Sequence, residues 1–484
     1  MKEARTMQTR NLIGGEWVGA DSGREIQVRN PATDEVVAMA PDCGAEETRR
    51  AIESAAQALP GWSRQTAGDR GRVLRRLADA MLRDQERLAR LMTLEQGKPL
   101  GEARGEIAYA ASFIDWAAEE GKRLYGEVVP SSSPGKRILT LRQPVGVTAA
   151  ITPWNFPAAM ITRKLGPALA CGCTMVVKPA EQTPLSAIAL GELALEAGLP
   201  AGCFNIVTGD AKAIGGEIFR HPAVRKVSFT GSTEVGKILM KMASENVTRL
   251  SLELGGHAPF IVFEDADLDA AVEGALATKF RNAGQTCICA NRIYVHAGVK
   301  EEFVRRLSGA MEGLKVGPGD AEGVRVGPLI DDDAMRKVRA HVEDAQGRGA
   351  RVVCGGRPVD LGSGFAKRFY APTLLDGFTD EMLVSREETF GPVAPVRSFE
   401  TEEEVVRMAN DSPFGLAAYF YTRDASRLMR VAEALDYGIV GANDALPSTA
   451  QAPFGGVKQS GFGREGGRQG MQEYTTVKYV SWGI

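Results

Sequence analysis

The most regular feature of the sequence is a series of short apolar runs rich in β-branched residues. Four such runs begin 27, 29 and 23 residues apart, at 147–152, 174–178, 203–207 and 226–229. Segments with the hydrophobic spacing of helices fill the gaps, at 158–170, 185–197 and 211–219. Strands that recur about every 30 residues with helices between them indicate βαβ units and a parallel sheet. The pattern therefore predicts an α/β fold, an architecture that commonly binds nucleotides.

The flanking regions extend this picture. Before the series, 46–58 and 69–94 have the spacing of amphipathic helices, the second beginning near an Asp cap. After it, 268–280, 292–295 and 300–314 begin a second alternating series that continues to residue 441 and predicts another α/β domain. Two stretches, 122–141 and 474–481, look extended and lack a core of their own. Such segments often pair with each other or with another subunit.

Composition and charge narrow the functional classes. The 484 residues are 44% hydrophobic and 25% charged, as in folded globular chains, with room for about three domains. With 58 basic and 61 acidic residues, the net charge of −3 gives no bulk attraction to nucleic acid or an anionic membrane. The uncharged stretch 143–162 contains three prolines, which argues against a membrane span. Seven scattered cysteines and the absence of a secretory signal predict a cytoplasmic protein with free thiols.

A glycine-containing turn follows the fourth apolar run. Thr230-Gly231-Ser232 opens a predicted helix, and the backbone amides of such a helix start favour phosphate. Gly236 and Lys237 also fit a phosphate loop, but Ile238 occupies the position of the magnesium-binding Ser or Thr. The residues therefore favour a dinucleotide pyrophosphate over ATP, with a plain strand-to-helix turn as the remaining alternative.

Two other patterns favour structural interpretations. Asp265, Asp267 and Asp269 alternate as in a calcium loop, but Ala270 replaces the required glycine, so helix capping by Asp267 is the favoured interpretation. Cys171 and Cys173 have no nearby group to complete a zinc site. They are predicted to be small buried hydrophobic residues.

Two residues carry candidate chemistry. Cys287 stands in a polar, glycine-containing loop that a substrate can reach, although a lone cysteine in such a loop is more often inert. Glu253 is a carboxylate inside an otherwise apolar strand. Burial raises the pKa of such a group and suits it to general-base work, whereas a structural ion pair is the alternative.

Seven ordered motifs resemble the aldehyde dehydrogenase superfamily. The first two are Glu-Leu-Gly-Gly at 253–256 and Gly-Gln-Thr-Cys at 284–287. The others lie at 153–157, 178–181, 229–232, 388–392 and 453–458, and the resemblance runs from about residue 11 to the C-terminus. Segments 91–100 and 154–164 look most like bacterial succinate-semialdehyde dehydrogenases, although His257 stands where many of that group have Asn or Leu.

The resemblance implies a fold and its division. A parallel-sheet dinucleotide-binding domain would comprise 1–121 and 142–252, and an α/β catalytic domain would comprise 253–441. Small extended oligomerisation segments would comprise 122–141 and 442–484. A homodimer or homotetramer is the implied assembly.

The resemblance also implies residue roles. Cys287 would be the nucleophile, Glu253 the base that activates water, and Asn155, with the Cys287 backbone N–H, the donor to the oxyanion. The residues that would bind NAD are Trp154, Lys178, Glu181, Gly231, Ser232 and Glu388. Arg163, Arg281 and Ser448 would hold a remote carboxylate of the substrate, with Thr449 as an alternative to Ser448. The two arginines could instead be surface charges.

The expected activity is NAD-dependent oxidation of succinate semialdehyde, with NADP as a weaker cofactor. An arginine pair accepts carboxylate or sulfonate alike, so glutarate semialdehyde and sulfolactaldehyde are alternative substrates. A non-catalytic protein on this fold would be expected to have lost Cys287, Glu253 or Asn155, and an enzyme acylating CoA would usually lack Glu253. Cys289 lies two residues from Cys287, and this proximity motivates the hypothesis that mild oxidant joins the two thiols.

Overall fold

A computed structural model describes residues 7–484, and its N-terminal part packs helices beside short hairpins. The strands are β1 (Asn11–Ile13), β2 (Glu16–Val18), β3 (Glu25–Arg29) and β4 (Val36–Pro41). The helices are α1 (Ala45–Ser63), α2 (Ala67–Arg83), α3 (Gln85–Gln96) and α4 (Leu100–Glu120). The prediction of one helix over 69–94 is wrong, because the chain breaks at Asp84 into α2 and α3. The N-cap of α2 is also not Asp69 but Thr66, whose hydroxyl accepts the Asp69 N–H.

The predicted βαβ series is confirmed between residues 147 and 253. It consists of β7 (Val147–Ile151), α5 (Ala159–Ala170), β8 (Thr174–Lys178), α6 (Pro184–Glu196), β9 (Phe204–Ile206), α7 (Ala211–Arg220), β10 (Val224–Thr230), α8 (Thr233–Ala243) and β11 (Arg249–Glu253). The five strands are parallel and lie in the order β11-β10-β7-β8-β9. One apolar cluster under α1, α7 and α8 covers one face, and a second under α2 to α6 covers the other. Glu253 is thus the last residue of β11, in a sheet that is covered on both faces.

The second half of the chain forms a seven-stranded sheet. Its first elements are β12 (Ala258–Val262), α9 (Leu268–Phe280), β13 (Ala290–His296), α10 (Ala297–Glu312), α11 (Asp332–Gly347), β14 (Arg351–Cys354), β15 (Thr373–Asp376) and α12 (Leu383–Arg386). It continues with β16 (Val393–Phe399), α13 (Glu402–Asn410), β17 (Phe414–Gly415), β18 (Ala417–Tyr421), α14 (Ala425–Ala434) and β19 (Ile439–Ala442). The strand order is β14-β15-β16-β13-β12-β18-β19, around one apolar cluster. The α/β fold class is confirmed, and Asp267 caps α9 as predicted.

The C-terminal segment returns to the first sheet and then leaves it. Its elements are β20 (Val457–Lys458), β21 (Gly461–Phe462), α15 (Gly467–Gln472) and β22 (Thr475–Gly483). β21 pairs antiparallel with β11, which places Gly461 opposite Glu253. Because the pairing is antiparallel, the residues after Gly461 run back along β11, with Phe462 opposite Leu252.

The two extended stretches pair with each other, as predicted. β22 pairs antiparallel along the whole of β6 (Lys136–Pro144), and β6 pairs with β5 (Glu127–Val129). The stretch 122–141 is not extended throughout, because Gly121–Arg123 forms a 3₁₀ turn. The boundaries of the three predicted parts stay a prediction.

None of the helices in residues 7–484 combines the length and the apolar character that are needed to cross a membrane.

Candidate active site

Cys287 lies in the loop between α9 and β13, which holds an uncommon backbone conformation. Asn282, Ala283 and Gly284 have φ values of 52°, 55° and 76°, in the left-handed region. A Cβ on Gly284 would lie 2.2 Å from the carbonyl oxygen of Gly391, so this position requires glycine.

Side-chain hydrogen bonds fix the same loop. The Asn282 amide donates to the Asn155 carbonyl at 3.0 Å, and its oxygen accepts from Gln96 at 3.0 Å. The Asn282 N–H donates to Glu102 at 2.7 Å. A strained loop held in this way presents Cys287 in one position.

Cys287 opens into a cavity of about 310 Å³ that also holds the predicted substrate residues. Arg163, Arg281 and Ser448 all line it, so the three lie together. The Arg163 side chain is only 2% exposed, and the surface-charge alternative is therefore wrong for it. The Ser448 hydroxyl is 2.5 Å from that of Tyr109, a lining residue that no sequence pattern indicated.

Without a bound ligand, the surroundings of Cys287 favour its neutral thiol over the thiolate. Burial raises the pKa of its thiol to about 12, and the nearby Glu388 carboxyl adds to the increase. Arg163 and Arg281 act in the opposite direction. A proton acceptor or added positive charge must therefore help to form the nucleophile.

Two donors near the thiol are available for an oxyanion. The Asn155 side-chain nitrogen donates one N–H to the Gln285 carbonyl at 3.1 Å, which leaves its second N–H unused. The Cys287 backbone N–H meets no backbone acceptor in the described part of the chain. Asn155 is 3% exposed and its carbonyl accepts from Lys98 at 2.7 Å, so its position is fixed.

Glu253 is buried without a hydrogen-bond partner. It is 2% exposed, and neither carboxylate oxygen has a partner within residues 7–484. Burial raises its pKa well above the ordinary value, and Glu465 raises it further, whereas Arg163 and Lys164 lower it. The ion-pair alternative is therefore wrong, and the side chain has the character of a general base.

The glycines after Glu253 bring the two key motifs together. A Cβ on Gly256 would lie 2.2 Å from the carbonyl oxygen of Cys287, so the two loops are in direct contact. The Gly256 N–H donates to Glu388 at 3.2 Å. Glu388 thus lies beside the Cys287 loop. Burial raises the pKa of its carboxyl group to about 7.

The other predicted cofactor residues lie at the carboxyl ends of β7, β8 and β10, which are neighbours in the sheet. Trp154 follows β7 and meets Phe390 edge to face, with ring centroids 5.6 Å apart. Lys178 ends β8 and is ion-paired with Glu181, which is 42% exposed. An open parallel sheet binds its ligands at this edge.

The turn after β10 has the shape expected for a phosphate site. A Cβ on Gly231 would lie 2.3 Å from the Phe229 ring, which excludes any other residue without a shift. The Gly231 N–H donates to the Glu253 carbonyl, so it is not free for a ligand. Ser232 caps α8 through the Val235 N–H, and the remaining first-turn amides have no partner inside the helix. A basic side chain and a helix N-terminus at one sheet edge fit a dinucleotide.

Several buried charges that position the site were missed by the sequence patterns. Glu106 accepts the N–H groups of Ala158 and Ala159 at the start of α5, and is 2.5 Å from Lys98. Glu465 is 2.5 Å from Lys164. Ala158 and Lys164 are 52 and 301 residues from their partners, and the eight residues between Lys98 and Glu106 match no helical contact spacing, so no local pattern indicates these contacts.

The remaining cysteine predictions have separate outcomes. Cys171 and Cys173 are buried free thiols, as predicted. Cys289 is 1% exposed and accepts a hydrogen bond from Lys279 at 3.2 Å. Its joining to Cys287 under oxidant stays a prediction.

Comparisons with known proteins agree with this geometry. The model of the "Aldehyde dehydrogenase family" matches residues 17–480. The chain is 56% identical to succinate-semialdehyde dehydrogenase [NADP(+)] of Escherichia coli, with all of both chains covered. It is also 56% identical to glutarate-semialdehyde dehydrogenase of Pseudomonas aeruginosa, over 100% of this chain and 99% of the other. A solved structure of succinate-semialdehyde dehydrogenase from Burkholderia pseudomallei superimposes with a TM-score of 0.98, at 54% identity and with both chains fully covered.

Proposed function

The chain belongs to the aldehyde dehydrogenase family, and we propose that it oxidises succinate semialdehyde to succinate. It is an oxidoreductase that uses a nicotinamide dinucleotide. The alternative of a non-catalytic protein on this fold is thereby set aside.

One observation carries the proposed substrate class. The cavity that contains the Cys287 thiol also contains two guanidinium groups, Arg163 and Arg281. An aldehyde that reaches Cys287 therefore places its far end among cations. A carboxylate at that end gains charge-assisted hydrogen bonds that an alkyl end lacks.

The first half of the proposed reaction takes place at Cys287. The thiol loses its proton to solvent, helped by the positive charges of Arg163 and Arg281, and the thiolate attacks the aldehyde carbon. A C–S bond forms as the carbonyl becomes an oxyanion. The second N–H of Asn155 and the Cys287 N–H donate to that oxygen, and losing one such donor typically costs about 100- to 1000-fold in rate. A nicotinamide dinucleotide held by the residues at the ends of β7, β8 and β10 would supply the hydride acceptor that oxidation to a thioester requires.

The second half uses Glu253. Its ionised carboxylate takes a proton from water, and the resulting hydroxide attacks the thioester carbon. The C–S bond breaks, and the acid and the Cys287 thiolate are released. The raised pKa of Glu253 makes it a stronger base than an ordinary glutamate.

We further propose NAD as the preferred cofactor, with NADP weaker. Glu181 follows β8 and is accessible, so it can accept hydrogen bonds from the adenosine ribose hydroxyls. Its carboxylate would repel a 2′-phosphate, although its ion pair with Lys178 offsets part of that repulsion. The relative from Escherichia coli is named for NADP(+), so a direct measurement decides this point.

Other acid-tailed aldehydes are the second candidate. Glutarate semialdehyde is favoured by the name of the Pseudomonas aeruginosa relative, which is as similar as the first. Sulfolactaldehyde would fit the same pair of cations. The remaining proposals are a cytoplasmic location and a homodimer or homotetramer.

The test compares an acid-tailed and an uncharged aldehyde of the same length. Arg281→Ala is expected to lower kcat/KM for succinate semialdehyde by about 30- to 3000-fold, the loss of one member of a buried charged pair. Butanal should change little. Arg305→Ala, which removes an exposed guanidinium outside the cavity, is the matched control. Equal losses on both aldehydes would show that Arg281 serves the fold and not the substrate.

A further inference from the structure

Arg163 is held on three sides inside the cavity. Its guanidinium carbon lies 3.8 Å from the centre of the Phe454 ring. Its Nε is 2.9 Å from Oε2 of Glu465, and its Nη1 is 3.8 Å from the Met160 sulfur. The contact with Glu465 is an ion pair without hydrogen-bond geometry, and both Nε and Nη2 are buried with no hydrogen-bond partner in the described part of the chain. One edge of the cation is therefore left for a ligand.

The two groups that hold Arg163 are set by one piece of backbone. Phe454 and Glu465 face each other in an antiparallel bridge, and each N–H donates to the other's carbonyl, at 2.7 and 2.8 Å. The ring and the carboxylate therefore keep a fixed relation to each other. A guanidinium group gripped on a face and an edge is well pre-organised.

The same Glu465 lies beside the general base. β21 pairs antiparallel with β11, with Gly461 opposite Glu253 and Phe462 opposite Leu252, so the chain runs back along β11 before it reaches Glu465. Oε1 of Glu465 is 2.5 Å from Lys164 Nζ, which also donates to the Thr230 hydroxyl at 2.6 Å. Thr230 is the residue opposite Glu253 in the neighbouring strand. Glu465 thus contacts the substrate-tail cation directly and acts on the nearby Glu253 carboxyl by its charge, without a hydrogen bond to it.

We propose that Glu465 is a positioning residue that couples the acid-tail pocket to Glu253, an inference that rests on the proposed function. It orients Arg163 for the substrate's carboxylate. When that carboxylate takes the free edge of Arg163, it adds negative charge to the buried charged groups that surround Glu253. Glu253 then binds its proton more tightly while an acid-tailed acyl group is on Cys287.

The charged groups around Glu253 and Glu465 determine whether the pKa of Glu253 rises or falls. Glu253 is faced by Glu465, Arg163, Lys164 and Arg464. Glu465 is faced in turn by Lys164, Arg163 and Lys226. Arg163 lowers the pKa of Glu253, so neutralising it raises that pKa. As the pH falls, the rate of thioester hydrolysis should therefore begin to decrease at a higher pH with an acid-tailed substrate than with an uncharged one.

The first experiment uses the wild-type enzyme with its cofactor. The rate of NADH formation after the initial burst is measured from about pH 5 to about pH 9 with succinate semialdehyde and with butanal. Both have four carbons, and Cys287 is acylated at this stage, so its thiol does not titrate. The pH at which the rate falls on the acidic side should differ by about 1 pH unit between the two substrates, the lower end of the shift that one nearby charge causes. The same acidic pH dependence with both substrates would overturn the coupling.

The second experiment uses Glu465→Gln. The ratio of kcat/KM for succinate semialdehyde to that for butanal should fall by about 30-fold or more, the usual loss when one member of a buried charged pair is removed. With butanal, the rate should fall at a lower pH than in the wild type, because a negative charge beside Glu253 is removed. Glu473→Gln is the control, since Glu473 contacts Lys226 and Ser251 but not Arg163, and it should leave both readouts unchanged.

The outcomes separate the two proposals. A wild-type enzyme that does not distinguish the two aldehydes would overturn the proposed function and the coupling together. If the wild type distinguishes them, but Glu465→Gln keeps the same preference and the same acidic pH dependence with butanal, the coupling alone would be overturned. If Glu465→Gln does not fold, the difference in acidic pH dependence between the two substrates in the wild type decides the question.

Discussion

At the scale of single residues, the site is built from polar groups that folding leaves without partners. The two oxygens of Glu253, the Asn155 side-chain oxygen and Nη2 of Arg163 are all buried and unpartnered within residues 7–484. Each such group typically costs about 1 to 3 kcal/mol of folding free energy. Groups of this kind are retained where a reactant or substrate supplies the missing partner.

Glu253→Gln tests the role of the base. The initial burst of NADH should remain, whereas steady turnover should fall by about 100- to 10,000-fold, because water attack on the thioester loses its proton acceptor. In the wild type, steady turnover should fall as the pH drops through the raised pKa of Glu253, since protonation removes the base. Stopped-flow absorbance of NADH measures both phases. Normal steady turnover in the variant would refute the assignment.

Cys287→Ala distinguishes chemistry from cofactor binding. It should abolish both the burst and the turnover, because no covalent intermediate can form. NAD binding, measured by titration calorimetry, should be retained, since the predicted cofactor residues belong mainly to β7, β8 and β10. A variant that loses NAD binding would show that Cys287 also holds the cofactor site together.

Glu181→Ser tests cofactor selection. Removing the exposed carboxylate leaves Lys178 without its ion-pair partner, and the free ammonium group then attracts a 2′-phosphate. The ratio of kcat/KM for NADP to that for NAD should therefore rise. Glu192→Ser, on the far part of α6, is a control that should leave this ratio unchanged. A wild-type preference for NADP would contradict this role of Glu181.

At the scale of elements, the ends of strands and helices position the chemistry. Glu253 ends β11, Lys178 ends β8 and Ser232 begins α8. Because the strands are parallel and adjacent, their carboxyl ends bring together residues that are distant in sequence. The catalytic loop is different, since it owes its shape to left-handed residues and to contacts from other elements.

Gly284→Ala tests that loop as an element. A methyl group at 2.2 Å from the Gly391 carbonyl cannot fit, and φ is 76°, so the loop must shift. We expect a loss of kcat of at least about 100-fold, since a displacement of about 1 Å at a catalytic group costs that much. Gly309→Ala, in α10 with open space around it, is the matched control. Full activity in Gly284→Ala would show that Cys287 does not depend on this loop conformation.

At the scale of the whole molecule, none of the apolar clusters found in residues 7–484 covers the three-stranded sheet β22-β6-β5. Val128, Tyr479 and Trp482 on it are 75%, 61% and 60% exposed. Such exposed apolar side chains are typical of surfaces that bind another chain. They support the proposal of a homo-oligomer.

Analytical ultracentrifugation checks the assembly. The wild type should sediment as a dimer or tetramer, and Tyr479→Asp combined with Trp482→Asp should shift it to a smaller species, because two charges would be buried at the contact. Leu82→Asp changes another exposed apolar residue, which lies on α2 and is 50% exposed, and it should have no effect. A monomeric wild type would refute the proposal, and an unshifted double variant would place the interface elsewhere.

Local sequence was sufficient wherever the physical cause is local. The apolar runs predicted the strands from Val147–Ile151 to Val224–Thr230, because strands covered on both faces of a parallel sheet are apolar along their whole length and recur along the chain. The capping of α9 by Asp267 followed from residues three apart. Where two helices share one continuous hydrophobic stripe, as at Asp84, the same local pattern does not show the break.

Sequence motifs also identified Cys287, Glu253 and Asn155 as the candidate chemistry, since the types and order of these residues are typical of one family. Only the tertiary structure decided how they are held. The bridge between Phe454 and Glu465 fixes Arg163, and Glu465 pairs with Arg163 and Lys164 beside Glu253. Contacts of this kind depend on backbone pairing between distant segments, which leaves no repeating signal in the chain. The sequence thus determined which groups are present, and the packing of distant segments determined which of them stay buried, unpaired and ready to react.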